Sequence, residues 1–314
     1  MRAPASRRLG IAGSLSATSS PIAKAAVIFA AAEDRRKCNR ERRSVPSVVL
    51  LPSGTITIDA PWVMPASARL IGEGPGNTTL LANFTSRDMI DMGPSNPAGT
   101  NYCKGTPSGT FTCAAVEIEH LRLNGNSQSG VNGIVNYYGQ ELSYVEDVAF
   151  LNIDGVALTL WGNIGNGTSY SANDSDPYSN LTMTSVGTCL EINGIGVTRG
   201  IHGLNCSATG PTAIYLDGLN NSLEDITLVA PNGSTNGILI GGILSSNNPV
   251  ASNNILFNIS GSGFQNLITI SNTQPTGAGN CPGQTKGNPS PYNVCDITIM
   301  GCHEWVGRWH QYHH

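Results

Sequence analysis

Ile118-Glu-His-Leu-Arg-Leu123 recurs as Val145-Glu-Asp-Val-Ala-Phe150, Leu223-Glu-Asp-Ile-Thr-Leu228, Ser252-Asn-Asn-Ile-Leu-Phe257 and Val294-Cys-Asp-Ile-Thr-Ile299. Each hexapeptide carries two polar residues, often Asp or Asn second, followed by apolar, any, apolar. The fourth positions, Leu121, Val148, Ile226, Ile255 and Ile297, are separated by 27, 78, 29 and 42 residues. Since 78 is three steps of 26, a unit of about 25 residues with insertions fits most of them. A second apolar run follows after a glycine turn at Gly155, Gly210, Gly237 or Gly263.

A unit this short, with two or three strands and no helix, cannot bury a face alone. It can if each unit coils once and stacks on the next, with strands about 4.8 Å apart. Inward Ile, Leu and Val then form continuous ladders, and Asn and Asp at the corners tolerate the left-handed backbone of the turns. The pattern therefore predicts an all-β parallel β-helix over 44–314. A β-sandwich is the rival; Asn124-Gly125, Asp154-Gly155 and Asn232-Gly233 resemble its hairpin turns, but a sandwich leaves the run-to-run similarity unexplained. Before this domain, Pro21 to Lys37 is Ala-rich with helical spacing and cations at its end, which predicts one helix.

Composition supports the same class. The 314 residues include 37 Gly and 18 Pro, with 12% charged and 39% hydrophobic residues, and no apolar run approaches the roughly 18–20 residues of a membrane span. Net charge is −4, yet ten of the 17 Lys and Arg precede Ser44, so the remainder holds seven basic against 18 acidic residues. Such a body repels phosphate backbones, which excludes nucleic acid as the expected partner. Arg35 to Arg43 reads as a solvated basic loop.

Cys103 and Cys113 bracket one Gly/Pro-rich loop, and Cys281 and Cys295 another, so each pair is an expected disulfide; Cys189 and Cys206 offer a third. No Cys-x-x-Cys occurs, and metal binding by the thiols is the weaker reading. Arg2, Arg7 and Arg8 make the start of a leader, so 1–20 is expected to be a leader or disordered segment. Cysteine usage points to a secreted or extracytoplasmic protein.

Val48-Val-Leu-Leu-Pro-Ser-Gly54, Ile56-Thr-Ile58, Val63-Met-Pro65, Leu70-Ile-Gly-Glu-Gly-Pro-Gly76 and Thr79-Leu80 resemble the first coils of the pectate-lyase-like right-handed β-helix proteins. The resemblance implies that the helix at 21–37, with the basic loop to 43, caps the first coil. It covers about residues 21 to 300 and is specific for fold more than for chemistry. The closing stretch from Cys302 to His314 resembles no cap, so the domain is expected to be truncated or altered there. Proteins of this class bind polysaccharide in an open groove along one sheet, so a polysaccharide is the implied partner, met by a monomer.

Asn152-Ile-Asp154-Gly155 is similar to the asparagine-x-aspartate-glycine motif of polygalacturonase-type hydrolases, and Asp174, Asp176 and Gly200-Ile-His202-Gly203 follow at about one-coil steps. The implied catalytic row is Asp154, Asp174, Asp176 and His202, one carboxyl protonated as general acid and one activating water. The hydrolases' Arg-x-Lys pair is missing, since no Lys or Arg lies between Arg199 and Lys286. A lyase reading takes Arg199 as base, with Asp174, Asp176 and Glu191 as oxygen ligands should Ca²⁺ be its cofactor; otherwise no cofactor is expected. The competing reading makes Asp154 and His202 turn residues. Trp161, Tyr137, Tyr138 and Tyr215 are candidate sugar-stacking side chains. His310, His313 and His314 read as a terminal tail. The expected function is cleavage, by hydrolysis or β-elimination, or binding of an extracellular polysaccharide, pectic ones included; the alternative is a non-catalytic adhesin or structural module.

Overall fold

The computed structural model describes residues 47–65, 67–92, 115–136, 142–161, 175–197, 200–241, 251–252, 254–270, 294–295 and 297–304. The helix expected at 21–37, the segment 1–20 and the loops around Cys103, Cys113 and Cys281 lie outside them.

The first six strands are β1 (Ser47–Leu50), β2 (Gly54–Ile58), β3 (Trp62–Met64), β4 (Ala68–Ile71), β5 (Thr78–Ala82) and β6 (Asp88–Met92). Longer strands follow: β7 (Glu117–Asn124), β8 (Asn132–Asn136), β9 (Tyr144–Leu151), β10 (Val156–Trp161), β11 (Tyr178–Val186), β12 (Thr188–Val197), β13 (Ile201–Ala208) and β14 (Thr212–Leu219). The series closes with β15 (Ser222–Ile240), β16 (Ala251–Ser252), β17 (Ile255–Ile270), β18 (Val294–Cys295) and β19 (Thr298–Glu304). All pair in parallel with strands one coil away, as a parallel β-helix requires.

Three ribbons result. Sheet I stacks β1, β4 and the first halves of β7, β9, β11, β13, β15 and β17, ending on β19. Its inward column is Leu70, Ile118, Val145, Tyr178, Ile201, Leu223 and Leu256, every member fully buried. Sheet II continues each of these strands beyond a bend and includes β2 and β5; its column runs Ile56, Leu80, Leu123, Phe150, Met183, Cys206 and Leu228. Sheet III stacks β3, β6, β8, β10, β12, β14 and the last parts of β15 and β17. Its column of Ile90, Ile134, Leu158, Leu190, Ile214 and Ile238 is again fully buried. At roughly 1.5–3 kcal/mol for each large apolar side chain buried, these columns supply the driving force that no single coil has.

The bend between sheets I and II explains the repeated polar residue. His120, Asp147, Asn180, Gly203, Asp225, Asn258 and Gly301 stack in one column, all with φ between 51° and 66°. Gly, and among other residues Asn, Asp and His, adopt this left-handed conformation most readily. Asn258 Nδ2 donates to Asp225 Oδ1 at 2.6 Å, and His120 Nδ1 lies 2.7 Å from Asp147 Oδ2.

The register corrects two of the five repeats. Ile226 pairs with Ile259, not Ile255, and Ile259 with Cys302, not Ile297. Asn254 mimics the bend residue but belongs to the preceding corner, where its Oδ1 accepts from both the backbone N and Nδ2 of Asn221 at 2.9 Å. Between Val148 and Ile226 the three expected coils are present, through Leu181 and Leu204, but their lengths differ.

Cys189 of β12 and Cys206 of β13 form a disulfide inside the coil, both residues buried. It links sheet III to sheet II across neighbouring turns of the chain.

Candidate functional site

A β-helix offers function on the outer faces of its sheets, because the inner faces are consumed by the ladders. Sheet I carries a charged network on its outer face. Arg69 Nε and Nη2 donate to Glu119 Oε1 and Oε2 at 2.7 and 3.1 Å, and Nε also lies 2.9 Å from Glu117 Oε2. Tyr144 OH donates to Glu119 Oε1 at 2.6 Å. Burial pushes the Glu119 carboxyl up, but the bonds from Arg69 and Tyr144 outweigh it and hold the group below its ordinary value. The Arg69 guanidinium, hydrogen-bonded to Glu119, and the Tyr144 phenol, by burial and then by that carboxylate, are both raised. Every charge here is answered by a neighbour, so this network reads as a surface clamp across β4, β7 and β9.

Sheet III is different. Its outward column is Val63, Asp91, Val135, Thr159, Glu191, Tyr215, Leu239 and Thr269, in register on successive coils. Two residues further on, Trp161, Asn193 and Asp217 are register partners on successive coils. Alternation within β14 sets Ile214 and Leu216 toward the core and Tyr215 and Asp217 on the opposite side of the strand. Glu191 pairs with Tyr215 and Asn193 with Asp217, which makes Glu191 and Asp217 diagonal neighbours, their Cα atoms about 7–8 Å apart. Tyr215 and Glu191 are half-buried and Asp217 is fully buried.

Lower on the same face stands Asp91, only 6% exposed. Its Oδ1 has no hydrogen-bond partner among the described residues. Burial, then the charge of Asp88 and a hydrogen bond with it, pushes its carboxyl up to about 7. Asp88 is itself held by Asn132, whose Nδ2 donates to Asp88 Oδ1 at 2.8 Å.

The expected site residues are dispersed. Asp154 sits exposed in the turn between β9 and β10, where Oδ2 accepts from the backbone N of Gly130 at 2.8 Å. His202 is on the outer face of sheet I, its Nδ1 3.2 Å from Glu224 Oε2. Asp176, half-buried, leads into β11 two residues before Tyr178. The fold thus sets Asp154 at the corner between sheets II and III and His202 on sheet I. Tyr215 is the expected residue that lies beside two carboxylates. Asp174, Arg199, Tyr137 and Tyr138 lie outside the described residues; of Trp161 the backbone is placed, at the end of β10, and of Cys295 likewise, in β18. Asp217 was not singled out from the sequence, and Glu191 was seen only as an oxygen ligand. Among the described residues no three His, Cys, Asp or Glu side chains gather to hold a metal. No described helix is long and apolar enough to cross a membrane.

No protein-family model and no curated protein matches the chain. Solved structures do. A tailspike protein of E. coli bacteriophage HK620, solved in complex with a hexasaccharide, matches with a TM-score of 0.58 at 14% identity, over 90% of this chain and 47% of that one. A DFA-IIIase from Arthrobacter chlorophenolicus A6, in complex with GF2, matches with a TM-score of 0.52 at 13% identity, over 89% of this chain and 78% of that one. The chain spans about half the length of the tailspike it matches. At these identities the likeness is one of fold alone: a right-handed parallel β-helix.

Proposed function

We propose that this protein binds and cleaves an extracellular polysaccharide on the outer face of sheet III. The observation that carries the reading is the diagonal pair Glu191 and Asp217 flanking Tyr215 on one outward face. Glycoside hydrolysis needs two carboxyls about 5–5.5 Å apart with retention, or about 6.5–9.5 Å apart with inversion. Diagonal positions on adjacent strands allow two carboxyls to stand at such a separation. Asp217 takes the role of the acid that delivers a proton to the leaving oxygen. Glu191, half-buried, is the one to activate water, and Tyr215 gives a pyranose ring a face to lie on. The parallel stack presents the same face over several coils, which suits an extended chain. The solved neighbours hold a hexasaccharide and GF2 respectively. The buried Cys189–Cys206 disulfide favours an oxidising compartment and hence secretion. A body with 18 acidic against seven basic residues after residue 43 favours a neutral glycan over bare pectate.

The test is a polysaccharide panel, pectic and neutral, followed by reducing ends and by the absorbance of unsaturated uronates. Reducing ends without unsaturation identify a hydrolase, and unsaturation identifies a lyase. Glu191→Gln and Asp217→Asn should each lower the rate by about 10²–10⁴-fold. Full activity in both variants refutes the assignment, and a panel neither bound nor cleaved replaces it with the non-catalytic scaffold.

A further inference from the structure

A separate concavity lies at the corner between sheets II and III. It spans the turns of three successive coils, those entering β14, inside β15 and inside β17. Its origin is a mismatch in turn length. Val229 pairs with Ser262 and Ser234 with Phe264, so four residues of one coil face the single Gly263 of the next. The longer turn overhangs the shorter and leaves a cavity of about 490 Å³. Gly233 and Gly263 make this possible with φ of 77° and 81°, and a Cβ on Gly263 would strike the carbonyl oxygen of Ala230.

The lining is polar and wholly uncharged. The base is satisfied internally: Ser234 Oγ donates to the Gly210 carbonyl at 2.6 Å, and Thr235 N and Asn236 N both donate to Pro211 O at 3.0 Å. Around that base stand the exposed side chains of Asn232, Thr235 and Gln265, with the largely buried Phe264 also in the lining. Two primary amides each offer a donor pair and an acceptor, the complement of vicinal hydroxyls. No cation is present to pair with a carboxylate or sulfate.

We infer that this notch is a second carbohydrate-binding site that takes a neutral sugar unit. Its volume falls in the range of about 300–1,000 Å³ typical of small-molecule sites. The assignment stands independently of the acid pair on sheet III, since it shares no residue with it.

Isothermal titration with cellohexaose, maltohexaose, xylohexaose and mannohexaose, and with hexagalacturonate as the anionic probe, tests it. At least one neutral hexaose should bind. Its affinity should fall about tenfold or more in the double variant Asn232→Ala, Gln265→Ala, and in Thr235→Trp, which fills the notch. The inference is overturned if no neutral hexaose binds, or if the double variant and Thr235→Trp both leave the affinity and stoichiometry of every neutral hexaose unchanged. All substituted side chains in the notch are exposed, so circular dichroism identical to the wild type is the control for folding.

Discussion

Replacing Asp91 by Asn should stabilise the protein above pH 7 and do little below pH 4. An Asp in the unfolded chain titrates near 3.9. In the fold the carboxyl is raised to about 7, by burial first and by Asp88 second, with Val63 and Val135 as its register neighbours. A raised folded value means that the native state binds the extra proton between these two points. Stability from this group is therefore complete below about pH 4 and is lost as pH rises through about 7. Three pH units at about 1.4 kcal/mol each set a ceiling of about 4 kcal/mol, and relaxation around the charged form reduces it to about 2. An Asn amide can donate to Asp88 as the protonated acid does, without the charge that burial penalises. At about 2–4 °C per kcal/mol for a domain of this size, the Tm difference between variant and wild type should grow by about 4–8 °C from pH 4 to pH 8. Differential scanning fluorimetry across that range measures it, and taking the difference cancels the titration of other groups. Asp88→Asn should shrink the effect, since it removes the second cause. A difference that stays flat with pH, or grows toward acid, refutes the reasoning.

The fold was legible because its rarest local demand repeats. A left-handed bend on each coil selects Asn, Asp or Gly, and the flanking inward positions select large apolar residues, so Asp147 and Asp225 stand out between Val145 and Val148 and between Leu223 and Ile226. Register was less legible, because coil length runs from 21 residues (Val49 to Leu70) to 48 (Leu70 to Ile118). Where an insertion ends in Asn254 or Asp296, sequence pattern alone offers a second frame, and only the pairing of Asn258 with Asp225 decides. β12 is hard to read in the sequence for a related reason: Gly194 and Gly196 interrupt it, and its pairing with β10 and β14 supports it.

The candidate site was legible in one residue. Tyr215 follows from an aromatic at an outward position of an apolar run. Asp217 carries the same signal, a polar residue in phase with Tyr215 within β14, and alternation could have found it. Its relation to Glu191 could not be read, because it depends on which residues of two coils are opposite one another, and that is set by the turn between them. At Asp154 the motif falls on a turn, where the carboxylate accepts from Gly130 N.

Arg69→Met should cost about 1–3 kcal/mol by urea denaturation at pH 7, because it strips the guanidinium from a carboxylate with only 7% side-chain exposure; the lower end applies because Arg69 itself is 41% exposed. The Glu119 carboxyl is held low in the fold, so this contribution is present above the ordinary carboxylate range and fades as pH falls through it; a penalty that persists unchanged at pH 2 contradicts the pairing. Joint replacement of Cys189 and Cys206 by Ala should cost about 3 kcal/mol for a loop of 17 residues, and equal midpoints with and without the bond would exclude the constraint. The bend column allows strain to be separated from hydrogen bonding at a single position. Asp225 has φ 56° and accepts from Asn258 Nδ2 on an exposed corner. Asp225→Gly loses the bond and relaxes the backbone, Asp225→Asn preserves both the conformation and an acceptor, and Asp225→Val loses the bond while forcing a β-branched residue into the left-handed region. Asn should be near neutral and Gly within about 1 kcal/mol of wild type, while Val should fall about 1–2 kcal/mol below Gly, the left-handed penalty for an L-residue with a bulky Cβ. Val and Gly denaturing at the same urea midpoint would mean that the column tolerates any residue, and that the repeat of Asp, Asn and Gly along it has some other cause.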